Sequence, residues 1–136
     1  MILARILIGL VFTANIQCAL AFLFNPSLYI FGFGLEGAAG EQIVRAFGLL
    51  FLMWNVPYAF ALVNPVKHRI SLIEAVSMQA IGLIGETGIL LIGGPYPYPI
   101  EITLKRFILF DGIGLVFLLI ALWFSGKKKL PTSTSK

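Results

Sequence analysis

The chain has 136 residues, 59% of them hydrophobic and 12% charged, with a mean hydropathy of +0.96. A soluble domain carries about 25% charged residues, so this composition excludes a sizeable soluble domain and describes a polytopic membrane protein with room for about four spans of roughly 20 residues. One cysteine, Cys18, and one histidine, His68, exclude an internal disulfide, a CxxC redox pair and a metal site built from those ligands, and no cofactor is expected. The formal charge of +4 lies largely in one loop and the C-terminal tail, which points to orientation and anionic lipid headgroups and away from nucleic acid.

The expected fold is all-α, a four-helix transmembrane bundle over residues 1–126 followed by a cationic, disordered cytoplasmic tail over 127–136. The first span covers about 2–24 and stops at Asn25-Pro26, because the residue before a proline is disfavoured in a helix. Arg5, the apolar run and Ala19-Leu20-Ala21 also resemble a signal peptide, but the run is longer than a usual h-region and reads as a span. The second span covers about 42–63 and ends the same way at Asn64-Pro65. This echo is shared helix-stop chemistry rather than a repeat, since the two helices run in opposite directions. The third covers about 71–92, ending at Gly93-Gly94-Pro95, and the fourth about 104–124, released by Ser125-Gly126.

Orientation follows from lysine and arginine in short loops. Arg5, Lys67, Arg69, Lys127, Lys128, Lys129 and Lys136 fall on one side, and Arg45, Lys105 and Arg106 on the other, which places both termini in the cytoplasm. Two outer segments differ from ordinary connectors. "FNPSLYIFGFGLEGAAGEQ" is long, aromatic and glycine-rich, so it lies in the interface or folds back over the bundle mouth; "GGPYPYPIE" is stiffened by three prolines. Both read first as headgroup-level anchors, with a lid as the alternative.

Polar residues inside the spans carry the functional signal, because a charge at the centre of a membrane helix costs roughly 2.5–3.5 kcal/mol on insertion scales. At 1.5 Å of rise per residue, Gln17, Glu86 and Asp111 lie about 10 Å below the outer surface, Asn15 a little deeper, and Arg45 and Arg106 about 3–5 Å down. The arginines are expected to turn toward the two acids. Asn55 and Gln79 form a second layer nearer the cytoplasm, and Glu74 lies near enough to the surface to meet Lys67 or Arg69. Gln79, Gly82 and Glu86 recur at three- and four-residue steps, so they share a face that points into the bundle. Gly82, Gly85, Gly88, Gly112 and Gly114 remove bulk from the third and fourth spans, which are expected to pack together; the same glycines would otherwise open a pocket. Two roles remain open for the polar band. It is a buried ion-pair network that fixes helix register, or a site in which Glu86 or Asp111 holds or moves a proton while an arginine binds an anionic or carbonyl group. The candidate catalytic residues are Glu86 and Asp111, and the candidate ligand-binding set is Gln17, Arg45, Asn55, Gln79, Glu86, Arg106 and Asp111.

The run "FNPSLYIFGFGLEGAAGEQIVRAFGLLFLMWNVPYAFALVNPVKHR" followed by "EAVSMQAIGLIGET" resembles the DoxX-like group of small bacterial four-helix membrane proteins, especially its uncharacterised branch. The resemblance covers about residues 20–90 and rests on Gly34, Gly40, Glu41, Arg45, Gly48, Pro57, Asn64-Pro65, Gln79 and Glu86. It implies a four-helix bundle in the bacterial cytoplasmic membrane. DoxX-type proteins are associated with membrane redox assemblies and, in the DoxD relatives, with quinone reduction coupled to sulfur-compound oxidation. This chain has neither paired cysteines nor a cofactor-ligand cluster, so the resemblance transfers the fold and not the chemistry.

Three functions are compatible with these residues. The first is a non-catalytic membrane subunit that binds a lipophilic molecule, such as a quinone or lipid, or a partner protein or second copy of itself. The second is a small membrane enzyme of the isomerase or hydrolase type, acting on a lipophilic substrate through Glu86 and Asp111. The third is a proton-coupled transporter, which without an internal inverted repeat requires a dimer.

Overall fold

The structure, a computed structural model, describes residues 2–126, so the tail with Lys127, Lys128, Lys129 and Lys136 lies outside the described residues. Four helices follow in order: α1 (Ile2–Phe24), α2 (Gly37–Val63), α3 (Arg69–Ile92) and α4 (Tyr98–Gly126), with two 3-10 turns, Pro26–Leu28 and Ile30–Phe33, between the first two. All four are long and apolar enough to cross a membrane, and the chain is a multi-pass membrane protein. No strand occurs among the described residues.

The helix stops fall where proline chemistry puts them. Asn25 (φ −129°, ψ 49°) and Asn64 (φ −156°, ψ 98°) both leave the helical region in front of a proline. Asn64 then uses its side-chain oxygen to accept hydrogen bonds from the amides of Val66 (3.1 Å) and Lys67 (3.0 Å), building the tight turn into α3. The starts lie earlier than the hydropathy boundaries. α2 begins at Gly37 rather than near residue 42, and α4 at Tyr98 rather than near 104. Pro99 causes the second difference: a proline in the first helical turn loses no hydrogen bond and has the right φ, so it starts α4 instead of stiffening a loop. Glu101 in that turn complements the helix dipole and pairs with Lys105 one turn on.

Each helix packs on its two neighbours in a closed ring, α1–α2–α3–α4–α1, while the diagonal pairs stay apart. The expected contact between α3 and α4 is made. α1 and α2 approach closely because Gly48 faces the α1 backbone: a Cβ there would stand 2.8 Å from the Ala19 carbonyl oxygen. Small residues at such seams allow backbones to approach where no hydrophobic effect drives helices together.

The two halves of the bundle differ. The half holding the N-terminus is solid, with Ala4, Ile8, Val11, Tyr58, Ala61, Leu72, Ala75, Leu118 and Ala121 closing on one another. Large apolar side chains such as Ile6, Leu10, Met53, Ile70 and Leu119 point outward, where lipid is as good a solvent for them as protein. Arginines lock this end. Arg5 donates to the Leu62 carbonyl near the end of α2 (3.1 Å), and Arg69 donates to Ser125 Oγ (3.2 Å) and the Leu122 carbonyl (3.4 Å) in the last turn of α4. A cation is favourable at a helix C-terminus, so Arg69 turns to α4 and not to Glu74.

At the opposite end the long connector folds back over the bundle mouth. Phe22 sits at the centre of an aromatic cluster, 4.9 Å from Tyr29, 5.6 Å from Phe33, 5.8 Å from Phe51 and 6.4 Å from Phe107 between ring centroids. Leu28 and Phe31 on the same turns are exposed and face away. Gly34, with φ 67°, ends the second turn in the left-handed conformation that a glycine adopts at little cost. Gly32 lies so close to Thr103 of α4 that a Cβ would stand 2.7 Å from its hydroxyl.

Candidate functional site

Between the aromatic cap and the solid core the bundle holds a cavity of about 580 Å³. Its floor is a hydrogen-bonded chain across three helices. Tyr58 of α2 donates to Gln79 Oε1 of α3 (2.6 Å), and Gln79 Nε2 donates to Asp111 Oδ1 of α4 (2.8 Å). Asn15 of α1 lies against the same Tyr58 hydroxyl, which brings the fourth helix to this layer. Tyr58 and Gln79 are buried, so their polar atoms depend on these partners.

Two glycines let the layer form. A Cβ at Gly82 would collide with Asp111 Oδ2, and one at Gly114 would stand 2.6 Å from Gln79 Nε2. Gly85 is different: nothing stands within 4 Å of a Cβ there, and it lines the cavity. The glycines of α3 and α4 therefore divide between close packing and open space.

Six of the seven candidate binding residues, Gln17, Asn55, Gln79, Glu86, Arg106 and Asp111, line this one cavity. Gln79, Gly82 and Glu86 do share the inward face that their spacing predicts. Arg45 does not join them. It pairs with Glu41 one turn earlier on α2, at 3.7 Å, because an acid four residues away on the same helix is a nearer partner than one across the bundle. Arg106 lines the wall with its side chain exposed, yet neither it, Glu86 nor Asp111 forms an ion pair among the described residues. The expected ion-pair network is thus absent among the described residues. A neutral amide, Gln79, holds Asp111, and Glu86 lines the same cavity without an ion-pair partner among the described residues.

Two buried acceptors on the wall carry no hydrogen bond: Asn55 Oδ1 and Glu86 Oε2. The Asn55 amide nitrogen is already spent on the Phe51 carbonyl (2.6 Å), so its oxygen is fixed with nothing to accept from. The remaining wall is apolar and aromatic, with Phe51, Trp54, Phe107 and Phe110 prominent and Tyr29 closing the top. Exposed Trp54, Ile81, Gly85 and Ile89 mark the opening along the seam between α2 and α3, the most loosely packed of the four.

Tyr58 was not among the residues that sequence reasoning selected, though a signal exists. Tyr58 follows Asn55 by three residues and so shares its inward face, and a tyrosine hydroxyl buried in a span needs a partner. No group of histidine, cysteine and carboxylate side chains capable of holding a metal occurs among the described residues. Comparison of the chain with family models, with curated proteins and with solved structures returned no match.

Proposed function

We propose that this membrane protein binds a lipophilic molecule whose polar head enters the intramembrane cavity through the α2–α3 seam. The observation that carries the proposal is the cavity itself. It lies within the roughly 300–1,000 Å³ usual for small-molecule sites, is mostly apolar, and holds a few convergent polar groups, two of them buried without partners. A scaffold that needed only helix packing would fill this space, as the other half of the same bundle does.

Gly85→Phe tests the proposal with little risk to the fold, since the site is open to a larger side chain. Mass spectrometry of protein extracted from its own membrane should find a lipophilic species retained by the wild type and lost from the variant. Equal retention by both would remove the cavity as the binding site. A partner protein or second copy that stayed bound to both would instead favour the subunit role.

The enzyme alternative rests on one further observation, that two carboxylic acids, Glu86 and Asp111, line one cavity open to a substrate. A pair of carboxyl groups at one site can divide the roles of acid and base between them. Membership of the DoxX-like group and residence in a bacterial cytoplasmic membrane belong to the same proposal, supported by the motif residues quoted above. Both termini face the cytoplasm in it, supported by the excess of Arg5, Lys67 and Arg69 at one end; at the other, Arg45 and Lys105 are each matched by a glutamate one turn away. In a Cys18→Ala background, Lys67→Cys should be labelled from the cytoplasmic side only and Tyr98→Cys from the outside only. Labelling of both from one side would refute this topology.

A further inference from the structure

The buried polar atoms left unpartnered in the cavity are one-sided, and that asymmetry defines the head of the occupant. Gln79 has both ends committed, its oxygen to Tyr58 and its nitrogen to Asp111. Asn55 donates one N–H to the Phe51 carbonyl and has its oxygen free. Glu86 Oε2 is buried and free, and Asp111 uses Oδ1 while Oδ2 lies over the bare Cα of Gly82. The buried side-chain atoms of the cavity left without a partner are therefore both acceptors, Asn55 Oδ1 and Glu86 Oε2, while Gln17, exposed on the α1 side, offers an amide that donates as well as accepts. Asn55 is 3% exposed, so its orphaned oxygen is not met by bulk water, and a buried acceptor left unmade costs about 1–3 kcal/mol. The single cation on the wall, Arg106, is exposed and lies about 7.5 Å along α4 from Asp111, toward the capped end.

We propose that the cavity selects a lipophilic amine, protonated at nitrogen, whose N–H groups are accepted by Asp111, Asn55 and Glu86 and whose charge lies against the aromatic wall of Phe51, Trp54, Phe107 and Phe110. The inference deepens the binding proposal above and rests on it. A protonated amine supplies donors to the unpaired acceptors and a positive charge between two unpaired acids, whereas an alcohol supplies one donor and no charge. Ring faces stabilise a desolvated cation, and the wall presents several of them. A carboxylate or phosphate head would bring acceptors to acceptors and a third negative charge to Glu86 and Asp111. Such a head has one cation to meet it, Arg106 near the capped end of the cavity, besides the neutral amide of Gln17.

The test uses three probes that share one body: bromophenyl-butylamine, bromophenyl-butanol and bromophenyl-butanoic acid. The bromine quenches tryptophan on contact, and Trp54 on the cavity wall is read in a Trp123→Phe background of the full chain in phosphatidylcholine nanodiscs, with each probe corrected for its partition into empty discs. The amine should quench at about tenfold lower concentration than the alcohol, and the acid least of all. Glu86→Gln keeps the volume and removes the charge, and since Glu86 Oε2 has no hydrogen bond to lose, the variant should keep its fold by thermal unfolding. It should bring the amine close to parity with the alcohol, and an amine preference that survives the substitution would overturn the role of Glu86 as its counter-charge. Equal quenching by amine and alcohol in the wild type would overturn the amine proposal while the lipophilic-binding proposal stands. Preference for the acid would overturn it in favour of an anion held by Arg106. Quenching by none of the three would overturn both proposals together.

Discussion

Gly48→Leu will separate α1 from α2 and give the largest loss of stability of any single substitution considered. A Cβ at this position would stand 2.8 Å from the Ala19 carbonyl oxygen, 2.9 Å from Leu23 Cγ and 3.1 Å from the Leu23 amide nitrogen. Two of those atoms are backbone, so no rotamer change relieves the contact and α1 itself must move. Forcing extra methylenes into a packed seam costs typically about 1–3 kcal/mol, and the upper end is expected where backbone is the obstacle. Reversible unfolding in mixed micelles measures the loss, with Gly48→Ala intermediate. Gly88→Leu is the matched control: nothing lies within 4 Å of a Cβ there, and leucine favours helix over glycine, so no loss is expected. Equal effects at Gly48 and Gly88 would show that close approach of α1 and α2 does not hold the bundle.

Gln79→Leu is expected to cost about 2–3 kcal/mol, because it strands two partners at once. Asp111 Oδ1 loses its only donor, and the Tyr58 hydroxyl is left with the more distant Ala75 carbonyl at 3.2 Å. Interhelical hydrogen bonds in membranes average only about 0.6 kcal/mol by double-mutant cycles, so most of the expected cost is the unpaired carboxylate and little is the bonds themselves. That division is testable. Adding Asp111→Leu to Gln79→Leu should recover a good part of the stability, since removing both partners is cheaper than orphaning one. Additive losses in the double variant would show that the layer is not a coupled network.

The amino-acid sequence by itself determined the four helices and where three of them stop. A spanning helix must satisfy its own backbone, so apolar length reads directly as structure, and proline blocks the residue before it whatever the rest of the chain does. Asn25 and Asn64 end α1 and α2 for that local reason. The shared inward face of Gln79, Gly82 and Glu86 was legible too, because helical spacing fixes which residues are neighbours. Depth counted along each helix brought six of the seven candidate residues to one cavity wall, since antiparallel helices of similar length place equal depths side by side.

The tertiary structure decided what depth and spacing leave open, namely rotation about each helix axis and choice of partner. Arg45 has the right depth for the acidic band but pairs with Glu41 on its own helix. Gln79 looked like a layer apart from Asp111, and their hydrogen bond joins the two layers because Gly82 and Gly114 give them room. Gly82 and Gly85 are indistinguishable in the sequence. One is filled by a carboxylate from α4 and the other is left open to the cavity, because that depends on which side chain the neighbouring helix presents at the same level. The cavity itself belongs to this second class. It exists because the diagonal helices stay apart along the bundle and side chains fill the space between them only below the Tyr58–Gln79–Asp111 layer, a property of four helices together that no single stretch of chain records.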